Sequence, residues 1–300
     1  MVKAKIEYYR LTISGLPEVT DYNQLLLNIV KKKSVIERVI KRNTKSHSIY
    51  KLQTSRNGIF LRFMSYAKGY RPDILNTDNF TIHANPLKPV ETNVDWTHTY
   101  GFYPDSDMKR YIIMVERNFN GLWASSLEYY LDKIITLHYK DIQEEIITQY
   151  RDFNYSQIDV ALDPVPGDEF LQRVQALNRI KEVKLRVTRP NPGWGDLESM
   201  LADEADDSKA HRYELSMNAK RGKSLEKKTG IVKYILDLFR KKSLGYASFK
   251  GETGGKRDEF STENLGKVSF IDLETDSFGQ VNPEDAFEKL SSVAENFDND

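Results

Sequence analysis

An aspartate, a glutamate and a lysine in the second half of the chain have types and a spacing that suit magnesium-dependent chemistry. Asp163, or Asp168, precedes the triplet Glu182-Val183-Lys184. Alternate residues of a strand share one face, so Glu182 and Lys184 would point the same way. In some nucleases two carboxylates hold Mg²⁺ while a lysine steadies the activated water. Because Glu-x-Lys is also common on solvated strands, a nuclease using Asp163, Glu182 and Lys184 is an alternative hypothesis.

Other familiar catalytic patterns are missing from the sequence. It contains no G-x-S-x-G, H-E-x-x-H or G-x-G-x-x-G motif. Residues 251–256 resemble a phosphate-binding loop, but Lys250 replaces its first glycine and Arg257 replaces the hydroxyl residue that would bind magnesium. The five histidines form no i, i+2 or i, i+4 pair, and there is no cysteine. We therefore predict a hairpin loop at 251–256, no metal site, no cofactor and a protein that is not an enzyme.

Lysine and arginine are concentrated in two runs. Residues 31–45 hold seven basic residues against Glu37, and residues 220–257 hold twelve basic residues against three acids. Clustered positive charge binds the phosphates of nucleic acids with release of counterions. We expect DNA as the partner, although charge alone does not separate DNA from RNA. The predicted contact residues are Lys31, Lys32, Lys33, Arg38, Lys41, Arg42, Lys220, Arg221, Lys223, Lys227, Lys228, Arg240, Lys241, Lys242, Lys256 and Arg257.

Acidic residues offset these basic runs. The chain has 44 basic and 44 acidic residues, and acids are concentrated in residues 196–207 and 272–300. Oppositely charged runs can pair within the fold or between subunits. A second alternative is therefore a protein-interaction scaffold without nucleic-acid contact, whose acidic and basic runs meet between subunits. The expected oligomer is a homodimer.

The composition indicates an ordinary globular protein. Apolar residues make up 39% and charged residues 29% of the 300 residues. This length allows two domains, each with its own core. The first residues lack the apolar segment of a signal peptide, and nowhere do eighteen apolar residues follow one another. The absence of cysteine fits a reducing compartment. We therefore expect a cytoplasmic protein without membrane insertion.

The first half of the chain reads as a sheet with helices. Residues 3–13 show strand alternation, and Asp21 suits the N-cap of a helix that buries Leu25, Leu26 and Ile29. The basic run then occupies the end of this helix or a second helix carrying Val35, Ile36, Val39 and Ile40.

Two further features of this half are well marked. The dipeptide Asn57-Gly58 predicts a hairpin between strands at 48–53 and 59–65. A strand at 109–117 precedes a helix near Ser125, where Ser125 and Glu128 fit a capping box. His138 lies on the apolar stripe of that helix and is interpreted as a core-edge residue.

The second half alternates strands and helices. We predict strands at 144–150, 157–162, 182–188, 212–217, 245–249 and 268–273, and helices at 168–177, 224–242 and 283–294. The fold class is α+β, with two domains that each pack helices on one face of a mixed or largely antiparallel sheet. The predicted division is an N-terminal α+β domain at 1–140, a two-layer domain at 141–280, and a C-terminal helix with an acidic tail at 281–300.

One segment of the first half resembles known proteins. Residues 111–118 read YIIMVERN and are followed by Gly121-Leu122 and by SSLEYYL at residues 125–131. This order resembles RexA-like phage-exclusion proteins and related uncharacterised bacterial and prophage defence proteins. The resemblance implies a DNA-binding component of antiviral defence that senses or signals as a dimer. It also implies a possible protein partner from the same defence system, and it supplies no catalytic residues.

Overall fold

The computed structural model describes residues 1–17, 20–68, 73–87, 91–104, 108, 110–151, 153–188, 212–240 and 244–297. Within these residues the chain forms two larger antiparallel sheets, a small hairpin and six α-helices. The predicted α+β fold class is therefore confirmed. None of these helices combines the length and the apolar character needed to cross a membrane.

The larger sheet consists of eight antiparallel strands: β1 (Val2–Ser14), β2 (Ile40–Arg42), β3 (Lys45–Thr54), β4 (Gly58–Tyr66), β7 (Asp95–Phe102), β8 (Tyr111–Glu116), β9 (Asp159–Pro164) and β14 (Val268–Leu273). Their order is β14-β1-β8-β7-β4-β3-β2, and β9 also pairs with β1. A two-stranded hairpin of β5 (Ile74–Leu75) and β6 (Ile82–His83) stands apart from this sheet.

Both faces of this sheet are buried. Residues Ile6 and Tyr8 of β1 belong to one apolar core, and Leu11 and Ile13 belong to another on the opposite face. Helix α1 (Tyr22–Lys32) and helix α2 (Ala124–Asp141) cover the second of these faces. The C-terminal helix α6 (Pro283–Glu295) covers the first. Helices therefore lie on both faces, whereas the sequence predicted them on one.

Local features of the first half follow the sequence only in part. The β3–β4 hairpin forms around Asn57-Gly58, and the Asp21 side chain accepts the N–H of Asn23 at the start of α1, as predicted. The alternative second helix is wrong, because residues 35–38 form a turn that leads into β2.

The capping box at α2 is also wrong. The N-cap of α2 is Trp123, which gives no side-chain cap, and the Glu128 carboxylate instead accepts the N–H of Leu162 at 2.8 Å. This bond ties α2 to β9, and a hydrogen bond to a carboxylate is stronger than one to a neutral acceptor.

A second sheet is inserted at the edge of the first. Strands β9 and β14 both pair with β1, on the edge of β1 that faces away from β8. The chain leaves the larger sheet after β9 and returns to it at β14. The two connecting stretches pair with each other at Pro166 and Gly266. We call residues 167–266 the inserted segment.

The inserted segment forms two layers. Its sheet has the order β11-β10-β12-β13, and helices α4 and α5 pack their apolar sides against one face of it, with Phe170, Val183 and Ile235 in the core. The other face carries charged side chains. The elements are α4 (Asp168–Ala176), β10 (Arg179–Thr188), β11 (Arg212–Asn218), α5 (Gly230–Arg240), β12 (Ala247–Thr253) and β13 (Lys256–Ser261).

The sheets do not divide the chain at residue 140. Strands β9 and β14 and helix α6 belong to the first sheet and its core, although they lie in the second half of the sequence. The reason is that β9 and β14 complete the edge of β1, a pairing that local periodicity does not report. The division into domains itself stays a prediction.

Several predicted elements differ from the structure. Residues 144–150 were predicted as a strand, but α3 (Gln143–Ile147) is a short helix that extends the end of α2. The helix predicted at 224–242 begins only at Gly230, whose φ is +59°. Strands β7 and β13 were not predicted. Residues 189–211, which include the whole acidic run at 196–207 and the Arg189-Pro190 dipeptide, lie outside the described residues.

Candidate nucleic-acid interface

The loop between β11 and α5 carries five of the predicted contact residues. It runs across the start of β10, where Ile180 donates its N–H to the Ser224 hydroxyl at 2.9 Å and Leu225 donates to the Ile180 carbonyl at 2.9 Å. These two bonds fix the middle of the loop, because both satisfy backbone groups at the end of a strand. Lys220, Arg221, Lys223 and Lys228 are exposed, and Lys227 is half-buried.

The tip of the β12–β13 hairpin brings two more contact residues to the same end of the sheet. Gly254 and Gly255 form the turn with φ values of +57° and +79°, as the predicted hairpin loop requires. Gly254 donates its N–H to the Asn178 side chain at 2.7 Å, just before β10. Lys256 and Arg257 follow this turn and are exposed.

The loop and the hairpin tip thus flank the first residues of β10 from two sides. We call this the loop–hairpin surface. Within the described residues it joins parts of the second basic run that lie about thirty residues apart in sequence. It consists of Lys220, Arg221, Lys223, Lys227, Lys228, Lys256 and Arg257.

Some of these cations are partly neutralised. Lys227 donates to the carbonyl of Gln175 near the C-terminal end of α4, and Arg257 lies 3.6 Å from the Glu259 carboxylate. Glu226 adds one acid to the loop. Within the described part of the chain, Lys220, Lys223 and Lys228 form no ion pair. The surface therefore keeps net positive charge at exposed ammonium groups, which suits contact with a polyphosphate backbone.

Sequence reasoning missed two neighbours of this surface. Lys181 donates to Glu252, which holds the pKa of that carboxyl below its ordinary value, and Arg179 lies 3.5 Å from the same carboxylate. Simple alternation would put Lys181 on the buried side with Val183. The β-bulge between Ile180 and Glu182 turns it outward, and a bulge leaves no clear mark in the sequence.

The first basic run is more dispersed. Lys31 and Lys32 are exposed in the last turn of α1, where their positive charges interact favourably with the negative end of the helix dipole. Lys41 is exposed in β2. Lys33 forms an ion pair with Asp141 at the end of α2. These lysines lie on different elements, and no single loop or turn carries them.

Two arginines of the first run are held by the fold. Arg38 is only 4% exposed, and its guanidinium Nη1 donates to the Val30 carbonyl at 3.4 Å. Burial therefore removes Arg38 from the predicted contact surface. Arg42 donates to the Ser126 hydroxyl at 3.2 Å and lies over the Tyr129 ring at 5.4 Å, so it joins β2 to α2.

The remaining contact residues divide into two cases. Arg240 ends α5 and forms an ion pair with Asp237 at 2.8 Å, away from the loop–hairpin surface. Lys241 and Lys242 lie outside the described residues.

The alternative nuclease residues do not form one site. Asp163 lies in β9 of the first sheet, is 5% exposed and faces Arg10 across 3.8 Å. Glu182 lies in β10 of the second sheet, 3.7 Å from Lys184 and 3.3 Å from Lys250. Glu182 and Lys184 do share a face as alternation predicts, but the carboxylate is engaged by two ammonium groups.

Metal ligands are no better grouped elsewhere. The described part of the chain contains no cluster of three or more His, Cys, Asp or Glu side chains that could hold a metal ion. Asp168 lies in the first turn of α4, in a cleft that also lacks such a cluster.

The chain is a mixed α+β protein, because it forms two antiparallel sheets, one inserted beside the other, with helices packed against them. Residues 142–292, just over half of the chain, match the family described as a domain of unknown function (DUF4747), and the chain belongs to that family. The match spans β9, the inserted segment, β14 and most of α6. No curated protein matches the chain significantly. The resemblance to RexA-like proteins stays a prediction.

Proposed function

We propose that this protein binds nucleic acid, with DNA as the expected partner, through the loop–hairpin surface. The observation that carries the proposal is that Lys220, Lys223 and Lys228 are exposed on a loop, and Lys256 and Arg257 on a turn, at the same end of the second sheet. Exposed ammonium and guanidinium groups at such a surface release counterions from the phosphate backbone on binding.

The chemistry of this surface favours backbone contact over base reading. Lysines are flexible point charges, and among the seven residues only Arg221 and Arg257 offer the planar fork that recognises a guanine edge. Binding should therefore depend strongly on salt and weakly on sequence.

The test is fluorescence anisotropy with labelled double-stranded DNA, single-stranded DNA and RNA, with Mg²⁺ present and the nucleic acid checked afterwards for cleavage. The loop variant carries Lys220→Glu, Lys223→Glu and Lys228→Glu. We expect the wild-type protein to bind intact DNA at low salt and the loop variant to bind about 100-fold more weakly, because three attractive contacts become repulsive.

The helix variant, with Lys31→Glu, Lys32→Glu and Lys41→Glu, is the matched control. It also reverses three exposed lysines, so the net charge changes equally in both variants. Equal binding by the loop variant and the wild type would refute the proposal. No binding by the wild type would favour the scaffold alternative, and cleaved DNA would favour the nuclease.

We also propose the cellular setting that the RexA-like resemblance implies, a sensor or signalling homodimer in anti-phage defence. The support is the pattern of residues 111–131 alone. Sedimentation velocity would test the dimer, and plaque counts on cells with wild-type protein or the loop variant would test protection. A monomer, or equal plaque counts with and without the protein, would count against this setting.

A further inference from the structure

Strand β14 forms one end of the larger sheet. It pairs with β1, and among the described residues no strand pairs with its other side. A strand at the end of a sheet presents unpaired backbone N–H and C=O groups to its surroundings. Proteins protect such an edge by keeping the strand short, by placing lysine, other charges or proline on it, or by a bulge. An edge without these devices is suited to pair with another strand.

Two other edge strands show these devices. Strand β2, at the opposite end of the same sheet, has only three residues, and two of them are basic. Strand β13, at the end of the second sheet, carries four charged residues in six. Strand β14 reads VSFIDL, contains neither lysine nor proline, and pairs with β1 along its whole length without a bulge. Of these three edges, β14 is the one that the sequence leaves unprotected.

The backbone of β14 directs alternate residues to its open side. Arg117 donates its N–H to the Lys5 carbonyl at 2.8 Å, so the Lys5 backbone points to β8 and away from β14. Phe270 lies opposite Lys5 in the β1–β14 pair. Because opposite residues of an antiparallel pair alternate between bonded and non-bonded positions, the N–H and C=O of Phe270 point to the open side. The same alternation applies to Val268 and Asp272.

Two of these three residues also expose apolar side chains. Val268 is 41% exposed and Phe270 is 58% exposed. The Lys3 ammonium lies 5.4 Å from the centre of the Phe270 ring. Asp272 is exposed, and its carbonyl accepts a hydrogen bond from Lys289 of α6. Since a carbonyl oxygen has two lone pairs, the Asp272 carbonyl can still accept a second bond.

The open side of β14 is complementary to itself. A two-fold axis at Phe270 places this residue opposite its counterpart in a second copy and places Val268 opposite Asp272. All outward-pointing residues then form bonded pairs, and each such pair exchanges two N–H to C=O bonds. No charged side chain of β14 faces a like charge in this register, because Asp272 faces an apolar residue. The strand itself therefore supplies the donors, the acceptors and the apolar surface that its own edge requires.

We propose that β14 pairs with β14 of a second copy of the chain. This antiparallel pair would be the interface of the homodimer proposed above, and the inference rests on that part of the proposed function. The two larger sheets would join into one continuous sheet, with the two Phe270 side chains next to each other at the axis. A pair of six-residue strands is small beside a standard interface of about 1,200–2,000 Å². The dimer should therefore be weak, with a Kd of roughly micromolar order.

The first test is sedimentation velocity of the full chain over a range of micromolar concentrations. Phe270→Lys brings two like charges together at the two-fold axis. Phe270→Pro removes the N–H that the carbonyl of the second copy would accept. We expect the wild type to dimerise as its concentration rises, and each variant to dimerise about tenfold more weakly or less.

Both variants should keep the fold. Phe270 is exposed, and its N–H makes no bond to β1, which is the position where edge strands accept proline. Circular dichroism and the melting temperature check this, and Phe270→Lys carries the test if Phe270→Pro does not fold. The matched control is Phe278→Lys. Phe278 is 88% exposed in the turn after β14, so this control should dimerise like the wild type.

The absence of cysteine allows a second test that reports the register directly. Phe270→Cys places one thiol of each copy at the two-fold axis. Bonded residues of an antiparallel pair have Cα atoms about 5.5 Å apart, a separation that suits a disulfide. Under mild oxidation we expect this variant to form a covalent dimer that a reductant dissociates. Phe278→Cys, the matched control, should form little of it.

The outcomes separate this interface from the other proposals. A wild type that stays monomeric at every concentration would overturn the inference together with the proposed homodimer. A dimer that persists in Phe270→Lys, or equal cross-linking of the two cysteine variants, would overturn the β14 interface alone. The loop variant should dimerise like the wild type, so the nucleic-acid proposal can fail without this one.

Discussion

Residues 31–45 and residues 220–257 are both basic runs, but the fold uses their charges differently. In the first run Arg38 is buried, Arg42 joins β2 to α2, and Lys33 pairs with Asp141. In the second run the loop before α5 and the β12–β13 turn leave most of their lysines exposed at one end of a sheet. The comparison teaches that loops leave the charges of a basic run exposed, whereas packed elements draw such charges into contacts within the fold.

The first run also acts on the interior of the protein. Lys45 and Arg42 add to burial in lowering the pKa of His47 to about 4, and Lys32 and Lys33 do the same for His138. His47 pairs with the Ser65 hydroxyl at 2.8 Å, and both imidazoles are nearly fully buried. These basic residues of the first run therefore act on the interior of the first sheet, where they favour the neutral form of both imidazoles.

The largest expected effect is on stability in acid. Each of these two histidines has a lower pKa in the folded protein, about 4, than its ordinary value of 6.5. The unfolded chain therefore binds more protons between these values, and stability present above pH 6.5 is lost as the pH falls towards 4. We expect a loss of about 2 kcal/mol per histidine between pH 7 and pH 4.5, measured by urea unfolding at the two pH values.

The control for the acid effect is a His47→Gln, His138→Gln variant, which should lose less stability over the same pH interval. Equal losses in the variant and the wild type would show that other groups cause the effect.

The next effect concerns the buried arginine of the first run. Arg38→Ala removes packing and the bond to the Val30 carbonyl, so the free energy of unfolding should fall by about 2 kcal/mol or more. DNA affinity should stay unchanged. Lys41→Ala, nearby and exposed, is the matched control and should change stability by less than about 0.5 kcal/mol. If Arg38→Ala were as stable as Lys41→Ala, the assignment of Arg38 to the interior would be wrong.

Alanine substitutions of Arg42, in the first run, and Arg257, in the second, should have opposite effects on stability and on DNA binding. Arg42→Ala loses the bond to Ser126 and the contact with the Tyr129 ring, which should cost about 1 kcal/mol of stability. Arg257→Ala should leave stability nearly unchanged and weaken DNA binding, because that side chain is 78% exposed. Thermal unfolding and anisotropy on both variants measure this reversal, and the opposite pattern would contradict the account.

The smallest effect is expected at Lys33. Its pair with Asp141 links the ends of α1 and α2 at the surface, so Lys33→Gln should cost less than about 1 kcal/mol. The loss should shrink further in high salt because exposed pairs are screened. A loss that persists in high salt would mean that Lys33 is part of the packed structure.

Elements that depend on neighbouring residues could be predicted from the sequence, whereas contacts between residues far apart in sequence could not. The β3–β4 hairpin, α4 and α6 follow from neighbouring residues, and the structure confirms them. The pairing of β9 and β14 with the same strand could not be predicted, because residues 159 and 268 are far apart in sequence. The bond from Leu162 to Glu128 overrode a local capping pattern for the same reason.

For the candidate nucleic-acid interface, the sequence predicted which basic residues would take part but not how the fold arranges them. The basic runs marked Lys220 and Lys256 as residues of one kind, but their positions at the same end of the second sheet depend on a loop and a turn on either side of β10. Burial removed Arg38 from the predicted contact residues, and a bulge turned Lys181 outward beside the loop–hairpin surface.

The most direct test of the central claim is the salt dependence of DNA binding in the two matched charge reversals. For the wild type, the helix variant and the loop variant, the association constant is measured across a series of salt concentrations. We predict that the slope of log K against log salt becomes shallower by about 2 to 3 in the loop variant, since each phosphate contact contributes about 0.9. The helix variant should keep the wild-type slope. Equal changes in both variants would mean that net charge, and not the loop–hairpin surface, determines binding.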